Sequence, residues 1–157
     1  MQNNLIVFIH LSAAGVAFGS LLYATLLLLP RGKQDDAAPE HSTRYRALEV
    51  LAPTVFVSLL VLLASGIYFL FANYTGQNNF TDGYYNLFGI KMLFVIAAVF
   101  LSIYQTFTLK GRISNLDLSP ENRKLVPATL DQMETVGKIA LGVIAAAAFL
   151  GVSLARF

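Results

Sequence analysis

The amino-acid sequence predicts an all-α integral membrane protein: a bundle of four transmembrane helices, built from two duplicated helical hairpins, with both termini on the outer side. Three observations predict it. Charged residues make up only 13% of the 157-residue chain, about half the roughly 25% of an ordinary soluble domain, and mean hydropathy is +0.63. Four apolar stretches each suffice, at about 1.5 Å per residue, to cross roughly 30 Å of hydrocarbon. Basic residues gather in alternate connections between those stretches.

The first stretch, 5–29, contains no Asp, Glu, Lys or Arg. It is expected to be a mature helix and not a signal peptide, because Met1-Gln-Asn-Asn carries no positive charge and the apolar core exceeds the usual length of about 7–15 residues. Pro30-Arg-Gly-Lys is expected to stop it, since proline cannot donate to the helical ladder. The second stretch, 48–72, has one charge, Glu49, at its start. Lys91 alone interrupts the third, 87–109, and Lys138 lies near the start of the fourth, 136–155. The alternating polarity of transmembrane strands is absent. Connections of about 18, 14 and 26 residues leave no room for a separate soluble domain, so 1–157 is a single membrane domain.

Orientation follows from Lys and Arg in the short loops. The first loop carries Arg31, Lys33, Arg44 and Arg46, and the third carries Lys110, Arg112, Arg123 and Lys124. The second loop and the N-terminal tail carry none. Loops one and three are therefore expected in the cytoplasm, with the second loop and both termini outside. Net charge is +2 and the pI near 9.0, but no basic run is dense enough to track phosphates, which excludes nucleic acid as a partner. The lack of cysteine excludes disulfides, thiolate metal sites, covalent haem attachment and Cys nucleophiles. Ser119-Pro-Glu-Asn reads as a short helix start. Tyr74, Tyr84 and Tyr85 suit an interfacial aromatic belt, and Asn73-Tyr-Thr and Asn79-Phe-Thr are formal glycosylation sequons.

The chain also repeats. At an offset of 81, His10 falls on Lys91, Tyr23 on Tyr104 and Arg31 on Arg112; at 85, Glu49 falls on Glu134 and Gly66 on Gly151. The matches are polar or special residues and read as two copies of a hairpin, each crossing twice and related by an axis along the membrane normal; the alternative is chance similarity between apolar segments. The repeat places His10 and Lys91 at one depth, roughly 6 to 8 Å into the outer leaflet at the rise of a helix. An intramembrane ionisable group usually faces the protein interior or a cavity, so two at one depth point to one site, floored by Ala14, Gly15 and Ala17 and bordered by Tyr68. An imidazole can ligate a metal and an ammonium can pair with a carboxylate, so the expected ligand is anionic or contains a metal. The structural alternatives are a His10 hydrogen bond to Ser65 or Tyr68, a Lys91 that snorkels to the headgroups, and small residues after His10 that serve helix packing alone. Glu49 and Glu134 suit the positive ends of helix dipoles, with Lys138 an i,i+4 partner for Glu134. His41 lies in a charged loop and is expected to be solvated. Met1, Met92 and Met133 lack the spacing of copper relays.

The segment Phe8-Ile-His10-Leu-Ser-Ala-Ala-Gly-Val-Ala-Phe-Gly19, the third-helix opening Leu87-Phe-Gly-Ile-Lys91-Met-Leu-Phe and the fourth-helix opening Met133-Glu134 with Ile-Ala-Leu-Gly four residues on resemble a superfamily of small four-helix membrane proteins. It includes the copper-resistance D (CopD) domain, the HemJ-type protoporphyrinogen oxidases and several bacterial membrane families. Ala17 stands where those proteins usually carry Trp. The resemblance implies a bacterial plasma (inner) membrane protein that binds b-type haem or a related tetrapyrrole in a redox role. It implies His10 as axial haem ligand, with the other axial position weak, empty or supplied by a second subunit or by Lys91, and Lys91 as propionate partner or catalytic group. Oxidoreductase chemistry of the HemJ type and copper handling of the CopD type are both within the superfamily. The other class of function is a cofactor-free accessory subunit, docked through its Gly and Ala faces as a homo-oligomer or in a larger membrane complex.

Overall fold

A computed structural model describes residues 2–32, 43–74, 82–109, 111–112 and 125–154. Helix α1 (Gln2–Tyr23) continues through a π-helical segment, Ala24–Leu28, into a last α-turn, Leu29–Gly32. Helix α2 is Thr43–Tyr74, and α3 (Asp82–Ile103) again continues into a π-helical segment, Tyr104–Leu109. Helix α4 is Val126–Leu154. No strand occurs among the described residues. Four spans, Asn4–Leu28, Ala47–Ala72, Gly83–Leu109 and Pro127–Leu154, are long and apolar enough to cross a membrane. The chain is thus a multi-pass four-helix membrane bundle. His41, Ser119, the sequon at Asn79 and the basic residues Lys33, Lys110, Arg123 and Lys124 lie outside the described residues.

Each helix packs on its chain neighbours, and α4 closes the ring against α1. Small residues set the spacing: Ala17, Ala98 and Ala140 are buried together with Leu21, Val55, Leu59 and Ile144. Without a hydrophobic driving force between helices in lipid, such residues let backbones approach for van der Waals contact. Large apolar residues such as Phe8, Leu93, Phe100 and Phe149 point outward, as a lipid-facing surface requires.

Helices α2 and α3 each start five residues before the expected 48 and 87, at Thr43 and Asp82, and two further boundaries differ from expectation. Pro30 does not stop the first helix, which runs on to Gly32. The turn before Pro30 is wide, with the Leu29 N–H bonded to the Ala24 carbonyl, and a second proline, Pro53, is likewise carried inside α2. Helix α4 begins at Val126, ten residues before the hydropathy boundary at 136. Its first turns are amphipathic: Leu130 and Met133 are buried against Ala24, Leu28, Leu29 and Leu109, while Asp131 and Gln132 face outward.

Burial follows the sequence repeat. Ala17 and Ala98, Leu21 and Ser102, Ala24 and Gln105, and Leu28 and Leu109 are all buried, and each pair is 81 residues apart. Leu48 and Met133, Val55 and Ala140, and Leu59 and Ile144 are buried pairs 85 apart. The π-segments also fall at matching places, directly after Tyr23 and from Tyr104 onward. Their wide turns put adjacent residues on one face, so Ala24 and Thr25 are both buried, as are Leu28 and Leu29.

Candidate functional site

His10 sits two turns into α1, half-buried, and its ring meets Ser65 on α2: Nδ1 lies 2.7 Å from Ser65 Oγ. The Ser65 hydroxyl donates back along its own helix, 2.6 Å from the Val61 carbonyl and 3.1 Å from that of Leu62. A hydroxyl has one proton to give. With that proton directed at the backbone, Ser65 Oγ must accept from His10 Nδ1–H, and we assign the tautomer on that basis. Nε2 is then left with its lone pair and no hydrogen-bond partner among the described residues. The Phe69 ring stands edge-on to the imidazole at 6.3 Å and fixes its plane. This is the arrangement in which one ring nitrogen is held by the protein and the other is free to bind a metal or accept a proton.

Lys91 extends from α3 toward α4. A Cβ added to Gly151 would stand 3.2 Å from Lys91 Nζ and 3.5 Å from Cε, so the ammonium lies directly over a glycine backbone. No carboxylate and no hydrogen-bond acceptor pairs with it among the described residues. His10 and Lys91 line one cavity of about 360 Å³. That volume falls within the range of small-molecule sites, about 300–1,000 Å³. Apart from these two groups and the Met92 thioether the lining is hydrocarbon, contributed by all four helices.

Of the residues expected around the site, Ala14 lines the cavity with His10 and Lys91. Gly15 does not: it is exposed, with open space where a Cβ would point, because one residue along a helix turns about 100° away. Tyr68 is also outside the lining, 43% exposed and packed edge-on to Phe69. Ala17 lies one layer deeper, in the core cluster it shares with the lining residues Leu59 and Ala98. The α4 wall, Ala147, Ala148 and Gly151, was not foreseen. Its signal is the run Ala145 to Ala148, small residues in the C-terminal half of the fourth helix. Met92 was considered only as a copper ligand, although it neighbours Lys91 and shares its cavity.

Away from the cavity, Glu134 pairs with Lys138 at 2.6 Å across one helical turn. The described residues assemble no group of three or more His, Asp or Glu side chains that could hold a metal ion by themselves. No protein-family model matches the chain, and neither does any curated protein or solved structure compared with it.

Proposed function

We propose that this protein binds a tetrapyrrole, b-type haem in the first instance, in the cavity between His10 and Lys91, with a redox role in a bacterial inner membrane. The observation that carries the proposal is the pairing of two ionisable side chains, from repeat-related positions, in one otherwise apolar cavity. The donor set fits such a group. His10 Nε2 is an available imidazole nitrogen whose opposite nitrogen is held by Ser65, and the unpaired Lys91 ammonium matches a propionate carboxylate. Met92 is the second soft donor on the wall, of the kind that pairs with His in haem proteins. Bound haem would supply one-electron chemistry; this chain's part is to hold the iron, neutralise a propionate and exclude water. The superfamily resemblance carried by His10, Lys91 and Glu134 points the same way.

The test is the visible spectrum of the protein purified in mild detergent. A reduced-minus-oxidised alpha band should be present in the wild type and absent in His10→Ala, with Lys91→Met retaining the band at lower haem occupancy. A colourless wild-type protein that cannot be reconstituted with haemin and co-purifies with larger membrane proteins would replace this role with that of an accessory subunit.

A further inference from the structure

The cavity is not sealed, and the residues that open it are all on one side. Among its lining residues only Leu11, Ala148 and Val152 are exposed, and the larger two are 64% and 63% accessible. Leu11 is on α1 and both others are on α4. On the opposite side α2 and α3 are in contact, with a Cβ at Gly66 reaching 4.0 Å from Met92 Sδ. Deeper in the membrane the α1–α4 seam is tight. Gly137 of α4 lies against the Thr25 side chain so closely that a Cβ there would collide with it. The two helices thus meet near Thr25 and part near Leu11.

From this we infer that the cavity opens sideways into the bilayer between α1 and α4, and that its ligand enters and leaves through lipid at the Leu11–Val152 rim. The inference rests on the ligand-binding role proposed above and adds the route. The rim is apolar and exposed at a depth where only acyl chains surround it, about 10 Å along α1 from Asn4 at 1.5 Å per residue. Water offers no advantage there to a ligand that is itself mostly hydrocarbon. Within the cavity both polar groups stand just inside the rim, His10 next to Leu11 on α1 and the Lys91 head against Gly151, the neighbour of Val152 on α4, so a molecule entering from the lipid reaches both as it passes the mouth.

The experiment uses the full chain in lipid nanodiscs and metal-free protoporphyrin IX delivered in vesicles, with uptake followed by stopped-flow fluorescence anisotropy. Val152→Trp and Leu11→Trp each place a wedge on one rim. Both positions already face outward, and Phe149→Trp, 72% exposed and outside the lining, is the control. The chain has no native Trp, so each new indole also reports arrival of the porphyrin by energy transfer. Each rim wedge should slow both uptake and release about tenfold, as expected where binding waits on a conformational step, with the control unchanged. If the wild type takes up porphyrin and both wedges match it in rate, the lateral route is refuted while the binding role stands. If the wild type binds no porphyrin at all, the binding role falls and takes the route with it.

Discussion

Gly137→Ala should be among the most damaging single-methyl additions in this protein. Built on the Gly137 backbone, a Cβ would overlap Thr25 Oγ1 and stand 3.1 Å from Cγ2 and 3.3 Å from Cβ, against the roughly 3.5–4.0 Å of relaxed carbon contacts. Thr25 is 0% exposed, so its side chain has no free volume to swing into. Overpacking of this kind costs about 1–3 kcal/mol, partly offset by the gain of about 1 kcal/mol when Ala replaces Gly inside a helix. Gly142, on the same helix with nothing near its Cβ position, receives only the gain. The two variants should therefore differ by about 1–3 kcal/mol, the size of the overpacking term. Unfolding by SDS titration in mixed micelles, followed by circular dichroism, reads that difference. Thr25→Ala removes the two closest atoms, one of them a buried hydroxyl oxygen that has no hydrogen-bond partner, so in the double variant most of the loss should return as a coupling of about 1–3 kcal/mol. Equal stability of Gly137→Ala and Gly142→Ala, or additive effects with Thr25→Ala, would refute the close approach of α1 and α4 at this level.

Three further outcomes follow from the site and the chain's charge pattern. Gly151→Val should push the Lys91 head from its seat and lower porphyrin affinity, whereas the repeat-related Gly66→Ala, whose Cβ meets only Met92 at ordinary contact distance, should leave it unchanged; titration of protoporphyrin IX into both variants checks this. Ser65→Ala frees the His10 ring and should weaken haem binding about tenfold, the usual effect of losing a partner behind a metal ligand, and a spectral titration with haemin measures it. Reporter fusions at Gln34 and Gln77 should show opposite sidedness, with Gln34 cytoplasmic, because the first and third loops carry four basic residues each and the second carries none.

The four spans were legible because bilayer crossing demands a length and an apolarity that few other contexts permit. The shared cavity of His10 and Lys91 was legible for a different reason: their offset of 81 recurs in the polar residues around them, and equal position in a repeat means equal depth. Ser65 could be named as a His10 partner from depth alone. Rotation about the helix axis was not legible. Neighbouring residues differ by about 100°, and a helix that is apolar all round carries no stripe to fix which face turns inward. Gly15 and Tyr68 were therefore placed at the site, while Ala147 and Gly151 were missed. The π-segments shift that rotation again by inserting one residue into a turn, and no residue type marks them. The amphipathic start of α4 escaped notice because Asp131, Gln132 and Glu134 lower its hydropathy although Leu130 and Met133 are core residues.

Duplication raises a question about the opening between α1 and α4, since the repeat relates that seam to the one between α3 and α2. A symmetric pair of hairpins would open on both sides. The inner ends do match: Thr25 faces Gly137, and Thr106, its counterpart 81 residues on, donates to the Ala52 carbonyl at 3.3 Å, Ala52 being the counterpart of Gly137. The outer ends diverge at one position. Leu11 faces outward, whereas its counterpart Met92 is half-buried with its sulfur toward Gly66. An unbranched thioether adapts to an irregular gap better than a branched chain, so Met92 closes the seam that Leu11 leaves open. Met92→Ala should then create a second mouth. Introduced into Val152→Trp, whose own mouth is wedged, it should restore porphyrin uptake to at least the wild-type rate, and introduced into Phe149→Trp, whose mouth is open, it should not slow uptake. Uptake that stays slow in the double variant would show that Met92 is packing alone and that the two seams differ for another reason.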